Sequence, residues 1–183
     1  YRPLEGVHLR DYPYLTWRWR VNRIFPEARE TTKAGDDYPA RLYVGFRYDP
    51  DRVGWTTRLT FRWARGESPT GDYPPLWMLN YAWASHLPAG RWIPNPWQER
   101  AKVIAVQSGA AGVGRWHREA RDMRQDFRAV VGEEPTPLQF IAIMIDGDNT
   151  GSSGTLYVDG IRLHRERPAS LTAEPAPPRR WRP

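Results

Sequence analysis

Leu15-Thr16-Trp17-Arg18-Trp19-Arg20-Val21 alternates apolar and polar side chains without a break. Successive side chains of a strand point to opposite faces, so this stretch buries Leu15, Trp17, Trp19 and Val21 and turns a row of arginines outward. Such a strand needs a second layer to cover its apolar side. The rest of the chain offers the material for one. Residues 40–46 place Leu42, Val44 and Phe46 on one face. Residues 53–63, 76–84 and 102–107 read as further strands, residues 116–122 as an irregular one, and residues 138–145 as a strand apolar on both parities. Residues 155–164 close the series. Met123, Phe127, Val130 and Val131 recur at helical spacing, which predicts a short helix before Gly132. Residues 22–37 and the proline-bearing stretch 85–101 read as long loops. About eight short strands with at most one small helix predict an all-β fold, a two-sheet antiparallel sandwich. The alternating helices of a doubly wound fold are missing.

Size and charge agree with that layout. A chain of 183 residues suits one domain, and 40% apolar with 26% charged residues excludes a disordered chain. No apolar run approaches ~18 residues, so the chain is not expected to be transmembrane. Cysteine is absent, which excludes disulfides and thiolate chemistry. The net charge of +6 comes from 27 basic residues, of which only Lys33 and Lys102 are lysines. Residues 165–183 carry five arginines against two glutamates, half of the net charge. The body is therefore nearly balanced. It has no helix-turn-helix, zinc-finger or aromatic RNA-binding pattern, so no nucleic-acid partner is expected.

The domain boundary follows from the same arithmetic: residues 1–164 form the sandwich and residues 165–183 an extended Pro/Arg-rich tail. Proline removes ladder donors, so the tail is not expected to pair in a sheet. Its Arg179, Arg180, Trp181 and Arg182 are the expected docking residues for a protein partner. The chain opens on Tyr1 without an initiator methionine, which reads as removal of an export signal and a periplasmic or extracellular setting.

Three groups of residues could carry chemistry. Asp146, Asp148, Asn149 and Thr150 sit in Asp146-Gly147-Asp148-Asn149-Thr150-Gly151, where alternate acidic oxygens and a glycine suit a hard cation such as calcium. The twelfth position is Tyr157, where an EF-hand requires a glutamate, so an EF-hand is excluded. The alternative is a tight turn capped by its own Asp and Asn side chains. Asp36, Asp37 and Arg41, with Glu30 and Lys33, form a second cluster. It fits a polar binding site, a carboxylate pair, or an ion-pair network bracing the loop. Trp92, Trp97, Tyr73 and Trp77 lie in or near loops, where flat rings can stack on sugar faces or plug the ends of a sandwich. The four histidines lack ligand spacing, and no P-loop, nucleophile elbow or dinucleotide fingerprint is present.

Several stretches together resemble a bacterial family of unknown function, numbered 3047. They are Trp17-Arg18-Trp19, Glu30 and Lys33, Gly35-Asp36-Asp37-Tyr38-Pro39-Ala40-Arg41-Leu42-Tyr43-Val44, Leu79-Asn80-Tyr81-Ala82-Trp83-Ala84, Trp116 with Arg121-Asp122 and Asp126, and Ile145-Asp146-Gly147-Asp148-Asn149-Thr150-Gly151. The resemblance implies an exported protein and supplies no activity. Gly154-Thr155-Leu156-Tyr157-Val158-Asp159-Gly160-Ile161-Arg162-Leu163 is similar to the closing strand of jelly-roll carbohydrate-binding modules with a galactose-binding-like fold, which implies a jelly roll. The functional expectation is a non-enzymatic exported binding module for glycan or another extracytoplasmic partner, engaged through loops and tail, with no required cofactor and calcium as the candidate ion. The alternative is an accessory subunit of a larger extracytoplasmic or membrane-associated assembly, docked through the tail. A third reading is an enzyme using the acidic cluster, with Asp36, Asp37, Asp146 and Asp148 converging in one pocket.

Overall fold

The computed structural model describes residues 1–4, 6–68, 71–171 and 177–181. The alternating stretch of residues 15–21 lies in β2 (Tyr14–Val21), after a two-residue strand β1 (Arg2–Pro3). It lies at the centre of a three-stranded antiparallel sheet, between β7 (His117–Asp122) and β9 (Leu156–His164). Leu15, Trp17, Trp19 and Val21 are buried, as their parity requires.

The covering layer is a seven-stranded sheet. Its order is β1, β8 (Leu138–Asp146), β3 (Tyr38–Phe46), β4 (Trp77–Ala84), β6 (Ala101–Ser108), β5 (Arg91–Pro94) and β10 (Arg179–Arg180). Ala40, Leu42, Val44 and Phe46 of β3, with Leu79, Tyr81 and Trp83 of β4, meet the indoles of β2 across the interface. Trp17 lies 5.4 Å from Tyr81 and Trp19 lies 6.4 Å from Trp83, ring centre to ring centre. The end of this core is closed by α2 (Met123–Val131), whose Met123, Phe127 and Val130 are buried. Asp122 caps that helix by accepting from the Gln125 amide at 2.9 Å, and Gly132 ends it with φ 85°.

The chain is thus mostly β and two-layered, but three expectations need correction. First, the large sheet is mixed: β4 pairs β6 in parallel, and β5 pairs β10 in parallel. Residues 85–101, read as loop, loop out from β4 and contribute β5 before the chain returns as β6. That excursion makes the parallel neighbour possible. Second, there are two helices among the described residues. Residues 53–63 are not a strand; α1 (Trp55–Gly66) occupies them. Leu59, Phe61 and Trp63 alternate like strand residues, but Trp55, Leu59 and Trp63 also recur every fourth residue. With no covering layer, the local helix wins, and only Phe61 is buried.

Third, the tail does pair. Its prolines at 177 and 178 precede the contact, and the donors come from the two non-proline residues beyond. The Arg179 amide donates to the Gly90 carbonyl at 3.0 Å, and the Trp181 amide to the Trp92 carbonyl at 2.8 Å. Proline is tolerated on such an edge.

Candidate functional site

The outer face of the large sheet carries the side chains of opposite parity. Part of it is a small apolar core of Tyr38, Ala82, Ala84, Leu87, Ile93, Val103 and Ala105. Beside that core, Arg41 and Tyr43 of β3, Asn80 of β4 and Asp146 at the end of β8 line a cavity of about 430 Å³. That volume is in the range of small-ligand sites.

Two loops fold over this face and are tied to each other. The Phe25 amide donates to Ser85 Oγ at 3.0 Å. Glu30 accepts from the Ser85 and His86 amides, each at 2.8 Å, so Glu30 staples the loops and does not enter the cavity. Asn95 Nδ2 donates to Asp36 Oδ2 at 3.1 Å, while Asn95 Oδ1 accepts from the Trp97 and Gln98 amides at 3.0 Å. One asparagine therefore fixes Asp36 and also sets the turn that presents Trp97 at the cavity. Trp97 is 56% exposed, with the Lys33 ammonium 5.1 Å from its ring centre.

Arg41 is the hub. Its Nη1 bonds Asp36 Oδ2 at 3.3 Å, and its Nη2 donates to the Asp36 carbonyl at 3.0 Å and to the Asp146 carboxylate. The guanidinium also lies 4.5 Å from the Tyr38 ring centre. Asp36 is only 4% exposed. Burial pushes its carboxyl above the usual range, against the pull of Arg41 and Asn95. Burial also raises Asp146, opposed by Arg41 and helped by the neighbouring Asp148. Burial lifts the Tyr43 phenol to about 12. Three buried polar atoms of the cavity-lining residues have no hydrogen-bond partner among the described residues: Asp36 Oδ1, Arg41 Nε and Asn80 Oδ1. Buried polar groups are ordinarily paired, and leaving one unpaired costs about 1–3 kcal/mol.

The loop after β8 is shaped by close contacts. A Cβ on Gly147 would collide with the Ser152 carbonyl, and the Ser152 amide donates to Gly147 O at 2.7 Å. The loop is then clamped by Asp37. Asp37 Oδ1 accepts from the Asn149 amide at 3.3 Å and from Asn149 Nδ2 at 2.9 Å. Its Oδ2 accepts from the Thr150 amide at 2.7 Å and from Thr150 Oγ1 at 2.5 Å. Burial alone would raise Asp37, but these bonds outweigh it and hold the carboxyl below its usual range. Adjacent aspartates thus shift in opposite directions.

Asp37, Asp146 and Asp148 bring carboxylate oxygens within 4.8 Å of one another, the spacing a cation would need. The donor chemistry fits a cation poorly. A carboxylate has about four lone-pair sites, and the bonds from Asn149 and Thr150 occupy those of Asp37. What remains is Asp146 and Asp148, with the Arg41 cation already beside Asp146. Thr150 Oγ1 and Asn149 Nδ2 face Asp37 as donors, which suits a capped turn better than a calcium loop.

Of the expected ligand residues, Asp36, Arg41 and Trp97 share the cavity, and Asp37 supports it from behind. Three aromatic residues lie elsewhere. Trp92 packs against the inter-sheet core beneath Arg180, 5.6 Å away. Trp77 packs against the same core between Arg100 and Lys102. Tyr73 packs at a tilt against Tyr48, ring centres 4.6 Å apart, and lies beneath Arg65 of α1. The expected docking residues Arg179 and Arg180 are edge-strand residues on β5, and Trp181 packs against the outer-face core of its own chain. Arg182 lies outside the described residues. Sequence reading missed Tyr43, Asn80 and Asn95. Asn80 had a signal, a lone amide on the alternate parity of an apolar strand; Asn95, among prolines, had none.

The model of a family described as protein of unknown function (DUF3047) matches residues 2–162. No curated protein and no solved structure matches the chain.

Proposed function

The chain belongs to the DUF3047 family, and for it we propose a non-enzymatic binding role in which the outer-face cavity takes a glycan. The observation that carries the reading is one juxtaposition: unpartnered buried polar atoms of Asp36, Arg41 and Asn80 beside an exposed indole. Sugar hydroxyls both donate and accept, so one ring can serve the acceptors of Asp36 and Asn80 and the Arg41 donor. The apolar face of that ring suits Trp97. The likeness of residues 154–163 to the closing strand of jelly-roll carbohydrate-binding modules supports a jelly-roll ancestry for the two layers more than it supports the ligand class. The resemblance to exported proteins supports an extracytoplasmic setting.

A glycan array with the intact chain tests this, run with calcium and with chelator beside Trp97→Ala. Binding is expected in both media and is expected to weaken sharply in the variant. Absence of binding to every glycan would overturn the reading. A second reading, hydrolysis by an acid–base carboxyl pair, draws on the raised Asp36 and Asp146. It requires turnover of a bound glycan, followed by product analysis. An accessory-subunit role through the tail draws less support, because Arg179, Arg180 and Trp181 are engaged by their own chain.

A further inference from the structure

The helix α1 stands apart from both layers and is dressed on the wrong side for a soluble helix. Trp55, Leu59 and Trp63 fall at i, i+4 and i+8, a single stripe. They are 74%, 54% and 71% exposed, whereas the opposite side seats Phe61, which is 8% exposed. Phe61 stacks on Tyr48 with ring centres 4.4 Å apart, and this ring contact helps fix which side faces away from the body. Two tryptophans and a leucine presented together are far from the scattered apolar residues of an ordinary surface.

The flank of the stripe is cationic. Arg58, Arg62 and Arg65 are exposed, and α1 contains no acid. Arg58 Nε donates to the Pro50 carbonyl and Arg65 Nε to the Gly71 carbonyl, both at 2.8 Å, so two of the three are held along the helix by their own connecting segments. Among the described residues Asp51 is the one acid paired with them, at 3.8 Å from Arg58 with its side chain 92% exposed, a separation at which water and salt screen most of the attraction.

We propose that α1 docks this protein on the surface of an anionic lipid bilayer, lying in the interface plane with Trp55, Leu59 and Trp63 among the headgroups and acyl boundary. Amphipathic indoles settle at that depth, and arginines beside them meet lipid phosphates. The choice of occupant rests on charge and composition together. A helix of 12 residues is too short to cross a bilayer but long enough to lie on one. Its apolar stripe is one side chain wide and bordered by cations, which suits a lipid surface of opposite charge. The site is separate from the outer-face cavity and does not depend on a glycan being bound.

The test is co-sedimentation of the intact protein with phosphatidylglycerol-containing vesicles and with pure phosphatidylcholine vesicles, at low and raised salt. Binding to the anionic vesicles is expected, weakened by salt and weak on the neutral ones. The double variant Trp55→Ser, Trp63→Ser is expected to weaken binding at least about tenfold, and Arg62→Glu about tenfold. Both variants should keep the thermal midpoint, since these side chains are exposed. Equal binding of the variants, or no binding to anionic vesicles at low salt, overturns the proposal. So does a concentration-dependent dimer that the double variant abolishes while vesicle binding is absent, because the stripe would then belong to a second copy.

Discussion

Two buried arginine–aspartate clusters sit on opposite faces of the large sheet, and their difference locates the site. On the inner side, Arg121 Nε bonds Asp126 Oδ2 at 2.9 Å and its Nη2 bonds Oδ1, while Tyr81 donates to Oδ2 at 2.8 Å. Asp126 is fully buried and both oxygens are engaged. On the outer side, Arg41 joins Asp36 to Asp146, yet Asp36 Oδ1, Arg41 Nε and Asn80 Oδ1 are unpartnered beside a cavity. Burial raises the aspartate carboxyl in both clusters. A raised carboxyl therefore does not separate scaffold from site. Unpaired polar atoms on residues that line a cavity do.

The largest effect should come from breaking the inner cluster. Asp126→Ala strands Arg121 and the Tyr81 hydroxyl in the core, and about 3–5 kcal/mol of stability is expected to go. Urea denaturation measures it, and ligand affinity of the remaining folded protein should be unchanged. Next comes the clamp. Asp37→Ala removes four hydrogen bonds to the loop after β8, and about 2 kcal/mol is expected to be lost, with weakened binding because Asp148 rides on that loop and Asp146 adjoins it. Trp97→Ala inverts the pattern: about 2 kcal/mol of binding, roughly thirtyfold in Kd, against less than about 0.5 kcal/mol of stability. Calorimetric titration and thermal unfolding read the two arms.

The smallest effect is a pH signature. Asp37 titrates below its unfolded value, so its stabilisation is complete above the ordinary carboxylate range and fades as pH falls below it. Asp36 titrates above its unfolded value, so the native state holds the extra proton and stability declines as pH rises from the ordinary value through the raised one. Carboxyl carbon NMR should show the neighbours titrating on either side of the ordinary value of 3.8. Coincident curves would contradict the opposite shifts of the two aspartates.

Much of the layered body was legible because its signals are local. The parity of β2 and β3 marked the buried faces, and α2 announced itself by spacing and by Gly132. What failed was what depends on neighbours. Nothing in residues 53–63 says that no sheet edge will be waiting for them, so their alternation misleads. The parallel pairing of β4 with β6 depends on where β5 inserts. The acidic residues were found as two separate groups, at 36–37 and 146–148, and their union required the pairing of β3 with β8, which sets Tyr38 opposite Asp146. Trp92 and Trp97 look alike in sequence; one faces the core because β5 forms, the other faces the cavity because Asn95 turns the chain.

The most direct measurement is amide chemical-shift mapping with a glycan that binds on the array. Saturable shifts are expected to cluster at Trp97, Asn80, Asn95, Asp36 and Asp146, to vanish in Trp97→Ala, and to leave Asp126 and Arg121 unmoved. Shifts centred on any other surface, or a map that Trp97→Ala leaves intact, would contradict the assignment of the outer-face cavity as the ligand site.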